Sequence, residues 1–197
     1  YLTSVTDHYS TASVCGPNSK KIINKIFPEL DLSDENFPHM SFKNTKLDNV
    51  NCRVMRISFT GELSYEINIE SKYGKSLWEK CISAGQEFNI TPYGTETMHL
   101  LRAEKGFIIV GQDTDGTMTP SDLQMDWIVS KKKYDFIGKR SLYRSDTIRE
   151  DRKQLVGLLT DDPKEILEEG AQIVLDTNTK PIDMLGHVTS SYFSPNL

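Results

Sequence analysis

The sequence is poor in cysteine and has no long apolar run. Its three cysteines, Cys15, Cys52 and Cys81, form no CxxC pair and share no ligand spacing with histidine, which excludes zinc, haem and iron–sulfur sites of the usual spacing. They read as free thiols of a reducing cytoplasm. No stretch approaches the roughly 20 consecutive apolar residues that a membrane helix needs. Charge of one sign is also missing: 23 Lys and Arg stand against 28 Asp and Glu, a net of −5, and the densest cationic spot is Lys131–Lys133. A surface without a basic stripe does not favour nucleic acid. GxGxxG, P-loop and GxSxG motifs are absent, and the four histidines share no ligand spacing. Gln112-Asp113-Thr114-Asp115-Gly116 lacks the remaining positions of a calcium loop and reads as an Asx turn. The first residues, Tyr1-Leu2-Thr3-Ser4-Val5, are neither a signal peptide nor an initiator methionine, so the chain is expected to be a piece of something longer.

What is present is the composition of a folded domain: 37% hydrophobic and 26% charged residues over 197 positions, enough for one domain or two small ones. Ser13–Asn18 followed by Ser19–Phe27 predicts a strand, a turn and a helix, with Pro17 at the first helical position, Ile22, Ile23, Ile26 and Phe27 on one stripe, and Pro28 ending it. Residues 28–50 read as a long connection. Met55, Ile57 and Phe59, then Leu63, Tyr65, Ile67 and Ile69, alternate with polar residues around Thr60-Gly61-Glu62, which predicts an antiparallel hairpin with one buried face. Tyr73, Leu77, Trp78, Cys81, Ile82 and Phe88 predict an amphipathic helix on that sheet. A second helix is expected from about Thr95 to Ala103, stopped at Gly106, before a strand at Phe107–Val110. The fold class is thus α+β, an antiparallel sheet with packed helices over residues 1–143. Residues 144–153 look like a linker or exposed helix. Strand candidates at Leu155–Leu159, Ala171–Leu175 and Gly186–Ser190 suggest that 144–197 begins a separate, incomplete β-barrel or jelly roll.

Two residues invite a functional reading. By alternation Glu66 lies on the sheet face opposite Tyr65 and Ile67. It is either a solvated strand glutamate or a carboxylate lining a ligand cavity, where it could accept two N–H bonds from a planar amino-pyrimidine. Trp127, in Met125-Asp126-Trp127-Ile128, is either core or an aromatic platform for a flat ligand.

Phe59-Thr60-Gly61-Glu62-Leu63-Ser64-Tyr65-Glu66-Ile67 resembles the hairpin motif of the glycine-cleavage T-protein (aminomethyltransferase) family. Leu101–Gly106, Gly111-Gln112-Asp113 with Thr119-Pro120, and Asp135–Leu142 are similar to further segments of that family in the same order. Within it, Tyr93–Thr117 resembles the branch that forms sarcosine oxidase alpha subunits; Met98 stands where aminomethyltransferases carry an arginine. The resemblance implies a folate-binding fold in which Glu66 holds the pterin, with Tyr65 and Trp127 as further folate contacts, and tetrahydrofolate as cofactor. It implies transfer of the one-carbon unit released from sarcosine to tetrahydrofolate. Flavin and NAD are expected only elsewhere in the complex, and the other oxidase subunits as partners. It identifies no catalytic residue, because the family's upstream acidic residue has no counterpart here. A glycine-cleavage-type aminomethyltransferase and a non-catalytic folate-binding protein of the same fold are the alternatives. The latter's relatives carry a cysteine in the frame now filled by Lys105–Gln112.

Overall fold

The computed structural model describes all residues from Tyr1 to Leu197 and divides into two compact units, Tyr1–Phe107 and Ile108–Leu197. In the first, β1 (Tyr9–Cys15) leads through Gly16 into α1 (Ser19–Ile26). A hairpin of β2 (Ser41–Leu47) and β3 (Val50–Arg56) follows, then β4 (Ser64–Glu70), α2 (Gly74–Gly85) and α3 (Thr95–Glu104). The four strands form one antiparallel sheet in the order β1-β4-β3-β2, so β4 lies inside it, paired on both sides. Helices α1 and α2 pack on one face. This is the expected α+β arrangement.

Alternation along β4 decides which residues enter the core. Tyr65, Ile67 and Ile69 join Val14, Cys52 and Val54 from neighbouring strands, Ile22, Ile23 and Phe27 from α1, and Leu77 and Cys81 from α2. Each large apolar side chain so buried contributes about 1.5–3 kcal/mol of transfer free energy, and this cluster lies wholly in the first unit. Burial raises the thiols of Cys52 and Cys81 to about 11, so both stay protonated fillers of the core.

Several expectations are corrected. Residues 28–50 are not one long connection: they contain β2, an edge strand whose only fully buried residue is Leu47. Such a strand shows no apolar alternation. The turn that pairs it with β3 is Asp48-Asn49, with φ of 47° and 68°, a two-residue hairpin built without glycine. β3 ends at Arg56, so Ile57 and Phe59 belong to the loop entering β4. Helix α1 begins at Ser19, with Asn18 as its N-cap, which leaves Pro17 in the preceding turn. Trp78 is exposed: it sits on the outer side of α2, beside the buried Leu77. Phe107–Val110 forms no strand, because Gly106 (φ 71°) ends α3 and the chain turns again at Gly111 (φ 96°).

In the second unit only Gln172–Val174 (β5) and Met184–His187 (β6) pair, so Leu155–Leu159 is not a strand and residues 144–153 hold no helix. Polar clips organise this unit. Asp113 accepts hydrogen bonds from Thr189 Oγ1 (2.6 Å), Ser190 Oγ (2.7 Å) and the Ile109 amide (2.8 Å). Asp122 receives both arms of the Arg152 guanidinium. Asp115 closes an Asx turn by accepting from the amide and hydroxyl of Thr117.

Candidate functional site

The face of the sheet turned away from α1 and α2 is polar by the same alternation that fills the core. Across its centre runs the row Ser13, Glu66, Met55 and Phe42, one residue from each strand; the next row is Thr11, Asn68, Arg53 and Asn44. Glu66 sits half-buried in the middle of a strand that is itself in the middle of the sheet. Burial raises its carboxyl above the ordinary carboxylate range, and no cation offsets that effect. The nearby polar groups bind one another instead: Thr11 Oγ1 donates to Asn68 Oδ1 (2.8 Å), and the hydroxyls of Ser13 and Ser64 lie 3.3 Å apart. The Asn68 Nδ2 is buried without a partner. A carboxylate acceptor and an unspent amide donor on one face are suited to a ligand with both donors and acceptors along a planar edge.

One wall of this site was not legible in the sequence. Tyr93, in the turn before α3, brings its hydroxyl to Cys15, whose thiol donates to it at 3.2 Å. Burial pushes the phenol up to about 12, and the charge of Glu66 adds to the shift. Only the register that sets Cys15 opposite Ser64, one step from Glu66, reveals the grouping.

The loop into β4 abuts the same end of the strand. It borders an open depression of about 320 Å³ lined by His39, Arg56, Ser58, Gly61, Glu62 and Ser64 among others. Gly61 has φ 77°, and a Cβ there would meet Lys105 Cγ at 2.3 Å, so both backbone and space demand glycine. Lys105 in turn pairs with Glu62 at 3.4 Å.

The predicted site residues fall in different surroundings. Glu66 occupies the polar face as expected. Tyr65 points the other way: it is 0% exposed, its ring 5.9 Å from that of Phe37, and its hydroxyl is buried without a partner. Trp127 belongs to the second unit, in a short helical turn, and is 77% exposed.

The raised carboxyl of Glu66 has a measurable consequence. In the unfolded chain it titrates near 4.5, and in the fold higher. The folded state therefore holds its proton more tightly, and stability falls as pH rises from the unfolded value through the folded one. Glu66→Gln is expected to melt above the parent protein at about pH 7 and level with it at about pH 4, as followed by circular dichroism. Identical melting curves at both pH values would show that burial does not disfavour the ionised carboxyl.

Comparison with known proteins agrees with the α+β fold. Residues 1–133 match the GCVT N-terminal domain and residues 153–197 the glycine cleavage T-protein C-terminal barrel domain. The chain belongs to the glycine-cleavage T-protein family. It is 55% identical to sarcosine oxidase subunit alpha of Corynebacterium sp. (strain P-1), over 99% of this chain and 20% of that protein. With the subunit alpha of Rhizobium meliloti (strain 1021) it shares 37% identity, over 100% of the chain and 20% of the relative. Aminomethyltransferase of Thermoanaerobacter pseudethanolicus is 33% identical over 100% of the chain and 51% of its own length. The chain thus spans about a fifth of the sarcosine oxidase relatives. No helix is long and apolar enough to cross a membrane.

Proposed function

We propose that this chain is the tetrahydrofolate-binding region of a sarcosine oxidase alpha-type subunit, where the one-carbon unit released from sarcosine passes to tetrahydrofolate. The observation that carries the reading is Glu66: a half-buried carboxyl, raised by burial, on a polar sheet face where no cation balances it. A reduced pterin presents adjacent N–H donors along one edge and would supply what the carboxylate lacks. With that edge held, N5 and N10 condense with formaldehyde: both nitrogens bond to its carbon, both lose a proton, and the carbonyl oxygen leaves as water. The task is one of positioning, because bringing the two nitrogens to one electrophile replaces much of the entropic cost of the encounter. Glu66 anchors the ligand and transfers no proton, and Tyr65 fixes β4 from the core side.

The flavin and NAD chemistry belongs to the rest of a heteromeric, cytoplasmic enzyme, and its other subunits are this region's partners. The folate domain extends to about residue 143, in the interval between the two family matches. The compact units divide earlier because Gln112, Asp113 and Asp122 clip the 108–124 segment to residues 152–155 and 189–190. The identity to aminomethyltransferase favours transfer from an aminomethyl carrier as a second reading. Met98, in place of that family's arginine, counts against it.

Titrating tetrahydrofolate against the full-length, assembled protein tests the assignment. Loss of a bidentate charge-assisted contact in Glu66→Ala is expected to weaken binding by about 10–100-fold. Unchanged affinity in the variant would remove Glu66 from the site.

A further inference from the structure

Tyr93 and Cys15 have no part in the reading so far, yet they lie close enough to Glu66 for its charge to act on the phenol. The phenol is held in a defined way. Its ring enters from the turn before α3 and is half-buried, and its oxygen accepts the Cys15 thiol at 3.2 Å. Cys15 cannot drift, because β1 pairs with β4 through its whole length, with Cys15 opposite Ser64 and Ser13 opposite Glu66. A phenol oxygen that already accepts one hydrogen bond keeps its own proton to give. The hydroxyl of Ser13, opposite Glu66 in the sheet, lies 3.3 Å from that of Ser64 and is shared with it. With its ionisation pushed up to about 12, the phenol is protonated at neutral pH. The site therefore sets a carboxylate acceptor near a neutral phenol donor.

A ligand matched to that pair has an N–H donor adjacent to an acceptor on one planar edge. The 2-amino-4-oxo pyrimidine has this order: amino group, ring N–H, carbonyl. Its 4-amino counterpart replaces the carbonyl with a donor, which would face the Tyr93 proton, and leaves the ring nitrogen between the two amino groups without its proton, so the Glu66 contact weakens as well. We propose that Tyr93 is a specificity-determining contact of the Glu66 site, its hydroxyl donating to the 4-oxo group of a pterin whose N–H edge Glu66 holds. The proposal rests on the folate reading and adds to it the discrimination between oxo and amino ring systems. Cys15 acts through Tyr93, as a positioning residue.

Calorimetric titration of the full-length, assembled protein with tetrahydrofolate and with tetrahydroaminopterin, its 4-amino analogue of the same reduction state, tests this. The parent protein is expected to favour the oxo ligand. Tyr93→Phe, which keeps the ring, should weaken tetrahydrofolate binding by about 5–10-fold and leave the 4-amino ligand unchanged, narrowing the preference to the part that Glu66 supplies. Cys15→Ala should reduce the preference by a smaller factor. If Tyr93→Phe weakens both ligands alike, or neither, Tyr93 does not read the 4-position and the proposal falls while the Glu66 assignment stands. If Glu66→Ala leaves tetrahydrofolate binding intact, or if the parent protein binds neither ligand, the folate reading at this site fails and takes the proposal with it.

Discussion

Arg152→Ala is expected to destabilise the second unit clearly, because it leaves the enclosed carboxylate of Asp122 without its cation. Asp122 is almost wholly enclosed, its side chain 2% exposed against 17% for Arg152. Arg152 Nε donates to Oδ1 at 2.8 Å and Nη2 to Oδ2 at 2.6 Å, a fork that matches the carboxylate geometry. The Thr119 amide adds a third bond at 2.7 Å, and spare guanidinium protons reach the carbonyls of Thr117 and Asp146. These donors hold the Asp122 carboxyl at about 2, against 3.8 when unperturbed. The stabilisation is therefore complete above about pH 3.8 and disappears as pH falls towards about 2. Because the chain has two tryptophans, Trp78 in the first unit and Trp127 in the second, urea unfolding in a Trp78→Phe background reports the second unit alone. A change below about 1 kcal/mol at neutral pH would mean that the pair behaves as a surface ion pair.

Ile67→Ala is the second large effect, about 2–5 kcal/mol in the first unit. Ile67 is 0% exposed, lies between Ala12 and Val54 in the sheet, and faces the helices. Truncating it opens a cavity at the centre of the only apolar cluster. The neighbouring Asn68→Ala, one residue along the same strand, removes the Thr11 hydrogen bond from the polar face and is expected to cost only about 1 kcal/mol. Chemical denaturation in a Trp127→Phe background, read through Trp78, separates the two. Equal losses would show that β4 does not divide core from site as its alternation indicates.

That division is also the measure of how much was legible beforehand. Period-two alternation placed Tyr65, Ile67 and Ile69 in the core and Glu66 opposite them, because a central strand with one apolar face writes its orientation into the sequence. The edge strand β2 carries no such pattern: its residues Phe42, Asn44 and Lys46 all face the polar side, and its hairpin turn uses Asp48 and Asn49 with positive φ in place of glycine. Phe107–Val110 and Leu155–Leu159 have strand composition but no partner strand, since apolar content alone cannot supply a ladder. The Tyr93 wall was hidden for a different reason. Residues separated by 78 positions meet there when the segment before α3 packs against β1, which no local pattern encodes. Tyr65 is adjacent to Glu66 in sequence and on the opposite face in space, so motif membership and site membership part company at that residue.

The central claim is that Glu66 receives the N–H edge of a reduced pterin. A crystal structure of the full-length, assembled protein soaked with tetrahydrofolate tests it most directly. The account predicts the pyrimidine ring over the polar face of the sheet, its amino group and ring N–H both donating to the Glu66 carboxylate. A pterin seated elsewhere, with Glu66 still without a partner, would contradict it.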